Sequence, residues 1–171
     1  DVDCRETLLA EANSAEARAA AAATRAYMDT LDSEAIAPSR GLVTQTHEFV
    51  STPDGNTIQV LLIRPDVADP QPCVVYFHGG GMQTNSCFEG IYRAWGRTIA
   101  GQGVAIAMVD FRNCLVASTA PEVAPFPAGL DDCVSGVRWL LANAVDLGID
   151  PHHVVVAGES GGGNLALATG M

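Results

Sequence analysis

The chain has 171 residues, of which 48% are hydrophobic and 17% are charged, so it has enough apolar side chains for the core of one globular domain and intrinsic disorder is excluded. The formal net charge of −11 disfavours nucleic acid and anionic membrane surfaces as partners, because like charges repel. No apolar run has the length of a membrane span, and residues 1–3 lack the features of a secretory signal.

The five cysteines are scattered, with no C-x-x-C pair: Cys4, Cys73, Cys87, Cys114 and Cys133. An odd number at this spacing argues against a disulfide framework and against a zinc site, and it favours a reducing compartment. We therefore expect a cytoplasmic protein without a metal or a cofactor. Cys73 and Cys133 fall in apolar patterns and are predicted to be small core residues.

Residues 5–31 are predicted to form one helix, because residues 15–23 include seven alanines and neither Gly nor Pro interrupts the stretch. Its apolar face is thin, so we expect the helix to lean on another element instead of forming the core. The composition changes at the linker Ala37–Gly41. The chain is therefore divided into a helical segment over residues 1–40 and a second part over residues 41–171.

The second part begins with strands. Val43–Ser51 and Thr57–Arg64 are predicted to form a hairpin, because turn-forming residues separate them. Three short and continuously apolar runs follow at Cys73–Phe77, Val104–Val109 and Val154–Ala157. Such runs are typical of strands that are buried on both faces.

Two helical patterns separate these buried strands. Ser86 and Glu89 have the spacing of a capping box ahead of a helix that ends at Gly101. The second pattern extends over residues 130–147, has acidic residues in its first turn and stops at Gly148. The alternation of strands and helices predicts an α/β fold with right-handed crossovers and a parallel sheet.

The last apolar run leads directly into the stretch Gly158-Glu159-Ser160-Gly161-Gly162, after which a helical pattern begins. G-x-S-x-G between a strand and a helix is the context of a nucleophile elbow, where glycines let the strand and the helix approach each other around a reactive serine. The alternative is a glycine-rich turn without chemistry, such as a phosphate cradle. However, the lysine of a Walker loop and the second glycine of a Rossmann fingerprint are absent.

A second rare motif, His78-Gly79-Gly80-Gly81, follows the first buried strand. Glycines at this place let backbone N–H groups converge on a substrate without side chains in the way, as an oxyanion hole requires. The joint presence of both motifs, in this order and on these elements, favours acyl-transfer chemistry.

With these two motifs the sequence resembles the hormone-sensitive-lipase family of α/β-hydrolases, and the likeness extends over residues 44–170. Asp110-Phe111-Arg112-Asn113 and the segment 125–132 are similar to two further motifs of the family. The resemblance implies the front half of an α/β-hydrolase fold: a mostly parallel sheet with flanking helices, which ends just after the elbow. Residues 1–40 would form an N-terminal helical cap segment, and residues 41–171 the N-terminal part of the core.

The resemblance also implies a serine carboxylesterase that acts on a small-molecule ester. Ser160 would be the nucleophile, and the backbone amides of Gly80, Gly81 and Gly161 would form the oxyanion hole. His78 would orient its loop and would not be the catalytic base.

Two neighbouring features have structural interpretations. Glu159 is interpreted as a residue that holds the turn by hydrogen bonding. The adjacent pair His152 and His153 is interpreted as an exposed turn and not as a metal site, because adjacent side chains point in different directions.

A hydrolase triad also needs an Asp or Glu and a His after the nucleophile, yet Gly161–Met171 contain none of these residues. We therefore expect them to come from polypeptide outside this chain, either a second polypeptide that carries the rest of the fold or another copy in a homo-oligomer. Residues 1–171 alone are expected to be inactive. The alternative is a non-catalytic protein that binds a small molecule in the same pocket.

Overall fold

The computed structural model describes residue 7 and residues 14–120 and 122–171 of the chain. The elements follow in the order α1 (Ala15–Thr30), β1 (Leu42–Val50), β2 (Thr57–Pro65), β3 (Gln71–Phe77), α2 (Gly90–Ala100), β4 (Ala105–Val109), α3 (Ala128–Ala142), α4 (Ala144–Leu147), β5 (Ile149–Gly158) and α5 (Gly161–Thr169). The helix predicted over 5–31 is present as α1. The start of that prediction, and Cys4, lie outside the described residues.

A mixed sheet with the strand order β1-β2-β4-β3-β5 forms the centre of the fold. β1 and β2 pair in antiparallel orientation along their whole length, which confirms the hairpin. β3 pairs in parallel with both β4 and β5, which confirms the parallel sheet. The prediction that Val154–Ala157 is buried on both faces is wrong, because β5 is the edge strand of the described sheet and Val155 is 58% exposed. The hairpin joins this sheet through an antiparallel pairing of β2 with β4.

Apolar side chains cover both faces of the sheet, because successive residues of a strand point to opposite sides. Val75 and Phe77 belong to the larger cluster, which also includes residues of α3 and α5. Tyr76 belongs to the smaller cluster with Tyr92 of α2. Cys73 and Cys133 are buried in the larger cluster, as predicted.

The predicted capping box at Ser86 and Glu89 is wrong. α2 begins at Gly90, and Glu89 makes no side-chain capping bond. Ser86 instead accepts the N–H of Phe88 within a local turn. The acceptor at the start of α2 comes from another helix, since Oδ1 of Asp29 accepts the N–H of Gly90 at 2.8 Å.

The helix predicted over 130–147 consists of α3 and α4, which are separated at Asn143. Gly148 ends it in a left-handed conformation with φ 69°, as predicted. The interpretation of His152 and His153 as a turn is wrong, because both lie on β5, which begins at Ile149. The strand extends this far because Ile149 pairs with Gln71 before the register shifts. None of the helices in the described part of the chain is long and apolar enough to cross a membrane.

Candidate active site

Ser160 occupies a sharp turn between β5 and α5, where its backbone has φ 50° and ψ −120°. A residue with a side chain adopts such a positive φ at a cost of roughly 1–3 kcal/mol, so the surrounding structure must hold it there. A Cβ atom at Gly158 would collide with the carbonyl of Gly162, and one at Gly162 would collide with the carbonyl of Phe77. These two glycines therefore provide the close approach that the sequence pattern predicts.

The glycine loop after β3 also has an unusual backbone. Gly80 has φ 105° and Gly81 has φ 64°, both in the region that favours glycine. The carbonyl of Gly80 accepts the N–H groups of Gln83 at 3.0 Å and of Thr84 at 3.2 Å. These bonds close the loop into a turn.

The fold brings the two motifs into contact. A Cβ atom at Gly161 would lie 2.8 Å from the amide nitrogen of Met82 and 2.9 Å from the Cα atom of Gly81. The amides of Gly80, Gly81 and Gly161 donate to no acceptor among the residues that the structure describes. Free N–H groups near a serine can donate to an anionic oxygen.

His78 is completely buried at the start of the glycine loop. Its ring stacks on Phe111 with centroids 4.2 Å apart, and its Nδ1 atom lies 2.8 Å from the carbonyl oxygen of Gly79. Because a carbonyl only accepts, Nδ1 carries the proton in this contact. Burial lowers the pKa of His78, so the ring is held neutral. This environment suits the loop-orienting role that the resemblance implies.

A residue that sequence reasoning missed, Tyr92 of α2, connects the two motifs. The N–H of Gly79 donates to the Tyr92 hydroxyl at 3.1 Å. The hydroxyl in turn donates to Oε1 of Glu159 at 2.8 Å, in agreement with the interpretation of Glu159 as a hydrogen-bonding residue. In the sequence Tyr92 is only one residue of an apolar helical pattern, and no local signal distinguishes it.

Two buried carboxylates hold the loops around the site. Asp110 accepts the N–H of Cys87 at 2.8 Å and the N–H of Thr119 at 2.7 Å. Asp132 accepts hydrogen bonds from the guanidinium of Arg112 at 2.9 and 2.8 Å, and this pairing raises the pKa of Arg112. The sequence pattern indicates only that Asp132 lies near the start of α3. In the structure its carboxylate also forms a buried ion pair with Arg112.

A cavity of about 350 Å³ lies between α1 and the glycine loop. Thr24, Arg25 and Met28 line it from α1, and Gly80 and Glu159 line it from the two motifs. A second cavity of about 170 Å³, mostly apolar, is lined by Gly81 among others. The glycine loop thus borders two cavities.

The described residues include no group of three His, Cys, Asp or Glu side chains that could hold a metal ion. His153 instead contacts Oδ2 of Asp150 through its Nδ1 atom at 2.7 Å, at an exposed position on β5. Hydrogen bonds from His152 and His153 lower the pKa of Asp150.

Comparison with known proteins gives a consistent result. The model of the family described as alpha/beta hydrolase fold matches residues 74–171. Carboxylesterase NlhH of Mycobacterium tuberculosis is 39% identical over 102 residues, which are 60% of this chain and 30% of that protein. The solved structure of esterase Est22 matches 97% of this chain and 49% of its own, with 58% identity and a TM-score of 0.95.

Within the hormone-sensitive-lipase family, the motifs of this sequence predict a particular likeness to brefeldin A esterase, which is among the matching structures. The solved structure of that enzyme, a bacterial homologue of human hormone-sensitive lipase, matches with 37% identity and a TM-score of 0.68. The match covers 86% of this chain and 42% of the chain of brefeldin A esterase. The chain thus spans about half of these solved esterases and about a third of NlhH.

Proposed function

The chain belongs to the α/β-hydrolase fold family, and on this premise we propose that it is the part of a serine carboxylesterase that carries the nucleophile and the oxyanion hole. The observation that carries the proposal is the strained backbone of Ser160 at the strand-to-helix turn, with the glycine loop packed against Gly161. The esterases that resemble this chain support the same reaction class.

In the proposed reaction, Oγ of Ser160 attacks the carbonyl carbon of an ester. The amides of Gly80, Gly81 and Gly161 bind the oxygen of the tetrahedral intermediate, and each such donor is worth about 3–4 kcal/mol of transition-state stabilisation. The catalytic His from outside the chain takes the proton of Ser160 and passes it to the alcohol, which leaves. Water, activated by the same His, then hydrolyses the acyl group from Ser160. His78 holds the loop and takes no part in proton transfer.

The catalytic Asp and His come, in this proposal, from polypeptide outside the chain. Support comes from the described residues of β5 and α5, where Val155 is 58% exposed and Leu167 is 76% exposed. Apolar side chains at such exposure are suited to be covered by further elements of the fold. We further propose that residues 1–40 act as a cap segment over a core formed by residues 41–171, because α1 lines the larger cavity.

Covalent labelling with a phosphonofluoridate tests the proposal in the complete protein. The reagent should label Ser160, and Ser160→Ala should abolish both labelling and ester hydrolysis. Ser39→Ala, at an exposed position in the linker, serves as the matched control and should retain both. Ester binding without labelling of Ser160 would favour a non-catalytic binding protein and contradict the proposal.

A further inference from the structure

Glu159 and Tyr92 form a hydrogen-bonded bridge between the two motifs of the site. The bridge runs from the N–H of Gly79 to the Tyr92 hydroxyl and from there to Oε1 of Glu159. Glu159 directly precedes Ser160, and Gly79 directly precedes Gly80. The bridge therefore joins the two motifs one residue away from each proposed reacting group.

The first glycine of the loop is required by this bridge and not by its own backbone conformation. Gly79 does not have a positive φ, in contrast to Gly80 and Gly81. A Cβ atom on Gly79 would lie 2.6 Å from Oε1 of Glu159, too close for any real contact. The missing side chain thus leaves the space that the Glu159 carboxylate occupies.

The surroundings of Tyr92 keep the direction of the bridge fixed. The residue is 5% exposed, and its ring lies 5.6 Å from the ring of His78. Burial, together with the nearby carboxylate of Glu159, raises the pKa of Tyr92, so its hydroxyl remains a donor. It accepts from Gly79 through a lone pair while its single proton is donated to Glu159, and the two bonds strengthen each other.

We propose that Tyr92 and Glu159 are positioning residues that set the place of the oxyanion amides of Gly80 and Gly81 relative to Ser160. This inference rests on the proposed esterase function. An oxyanion hole must hold its donors in place before charge develops, and a displacement of about 1 Å can reduce the rate by up to about 100-fold. The bridge opposes such a displacement just beyond the point where the pairing of β3 with β5 ends, at Phe77 and Gly158.

Kinetics of variants of the complete protein test this inference. Tyr92→Phe and Glu159→Ala should each lower kcat about 10-fold or more, with KM within about threefold, because the loss affects the transition state. Affinity for a trifluoromethyl ketone, which forms a tetrahedral adduct with the serine, should fall in parallel. Glu159→Gln, which keeps an oxygen acceptor, should restore most of the activity that Glu159→Ala loses. Tyr27→Phe, which removes a hydroxyl from a side chain that is 65% exposed, should leave kcat unchanged.

A double-mutant cycle with Gly79→Ala separates positioning from a general loss of stability. In the wild-type background the new methyl group should displace Glu159 and lower kcat to a similar extent. In the Glu159→Ala background the space is free, so Gly79→Ala should have no further effect.

Full activity of Tyr92→Phe, or additive losses in the cycle, would overturn the inference. Either result, together with complete loss of activity in Ser160→Ala, would leave the esterase function in place and remove only the positioning role. Hydrolysis by Ser160→Ala at the wild-type rate would contradict the proposed function itself.

Discussion

Gly80 and Gly81 are required because of their backbone conformation. Gly158 and Gly162 are required because neighbouring backbone leaves no room for a side chain. The first two have φ angles of 105° and 64°, and the other two have no room for a Cβ atom beside a neighbouring carbonyl. Gly80 meets both conditions, because a Cβ atom there would also collide with the carbonyl of Thr84. The same residue type therefore has different tolerance to substitution at neighbouring positions.

This difference predicts unequal effects of alanine in the glycine loop. Gly81→Ala meets nothing closer than 3.9 Å, so it should cost only the conformational strain of about 1–2 kcal/mol. Gly80→Ala adds a backbone collision and should lower the free energy of unfolding of the complete protein by clearly more. Urea denaturation of both variants measures the difference. Equal losses would show that the turn closed by Thr84 yields readily.

The buried ring of His78 predicts a pH dependence of stability. Its folded pKa lies below the ordinary value of 6.5, mainly because of burial. Below about pH 6.5 the unfolded chain takes up a proton that the folded chain does not, so the free energy of unfolding should fall as the pH decreases. Above about pH 6.5 the ring is neutral in both states, so this loss of stability is absent.

Urea denaturation at about pH 7 and about pH 5 compares the wild type with His78→Gln. The variant should lose less stability between the two pH values, whatever its stability at neutral pH. His152→Gln, at an exposed position on β5, is the matched control. The same loss in His78→Gln as in the wild type would contradict a neutral buried ring.

At the scale of elements, polar contacts attach α1 to α2. Asp32 pairs with Arg93 at 2.5 Å and also with Arg97, and Asp29 accepts the N–H at the start of α2. Although partial burial alone would raise it, the hydrogen bonds from Arg93 and Arg97 hold the pKa of Asp32 below its ordinary value. A Cβ atom at Gly90 would lie 2.5 Å from the Cα atom of Asp29, so the two backbones touch here.

Because ion pairs attach α1 to α2, we expect the hydrogen exchange of α1 to depend on the salt concentration. An increase of ionic strength to about 1 M shortens the screening length to about 3 Å, which should raise the hydrogen exchange of α1 more than that of α3. Asp32→Asn should raise the exchange of α1 already at low salt and should reduce its response to added salt. Exchange of α1 that is independent of salt in the wild type would contradict an electrostatic attachment.

At the scale of the whole molecule, local patterns predict the elements, whereas their long-range partners need the fold. The hairpin, the strands of the parallel sheet and both glycine motifs follow from periodicity and residue type in short windows. The cap of α2 does not, because its acceptor Asp29 lies 61 residues before Gly90. Tyr92 is missed for the same reason, since its partner Glu159 is 67 residues away.

The exposed apolar side chains of β5 and α5 lead to a last prediction about the whole molecule. Val155, on the edge strand β5, is 58% exposed, and Leu167, on α5, is 76% exposed. In the isolated chain of residues 1–171 these side chains should promote aggregation. In the complete protein, burial of each under the rest of the fold should contribute about 1.5–3 kcal/mol.

Val155→Lys and Leu167→Glu should therefore have opposite effects in the two contexts. Each should keep more of the isolated chain in solution as a monomer, because a charged side chain in place of an exposed apolar one discourages association. Each should also lower the free energy of unfolding of the complete protein, because a charge is then buried without a partner. Val67→Lys, at a position that is 49% exposed between β2 and β3, is the matched control and should do neither. Size-exclusion chromatography and urea denaturation measure the two effects. A complete protein that tolerates both substitutions would show that nothing covers these two side chains.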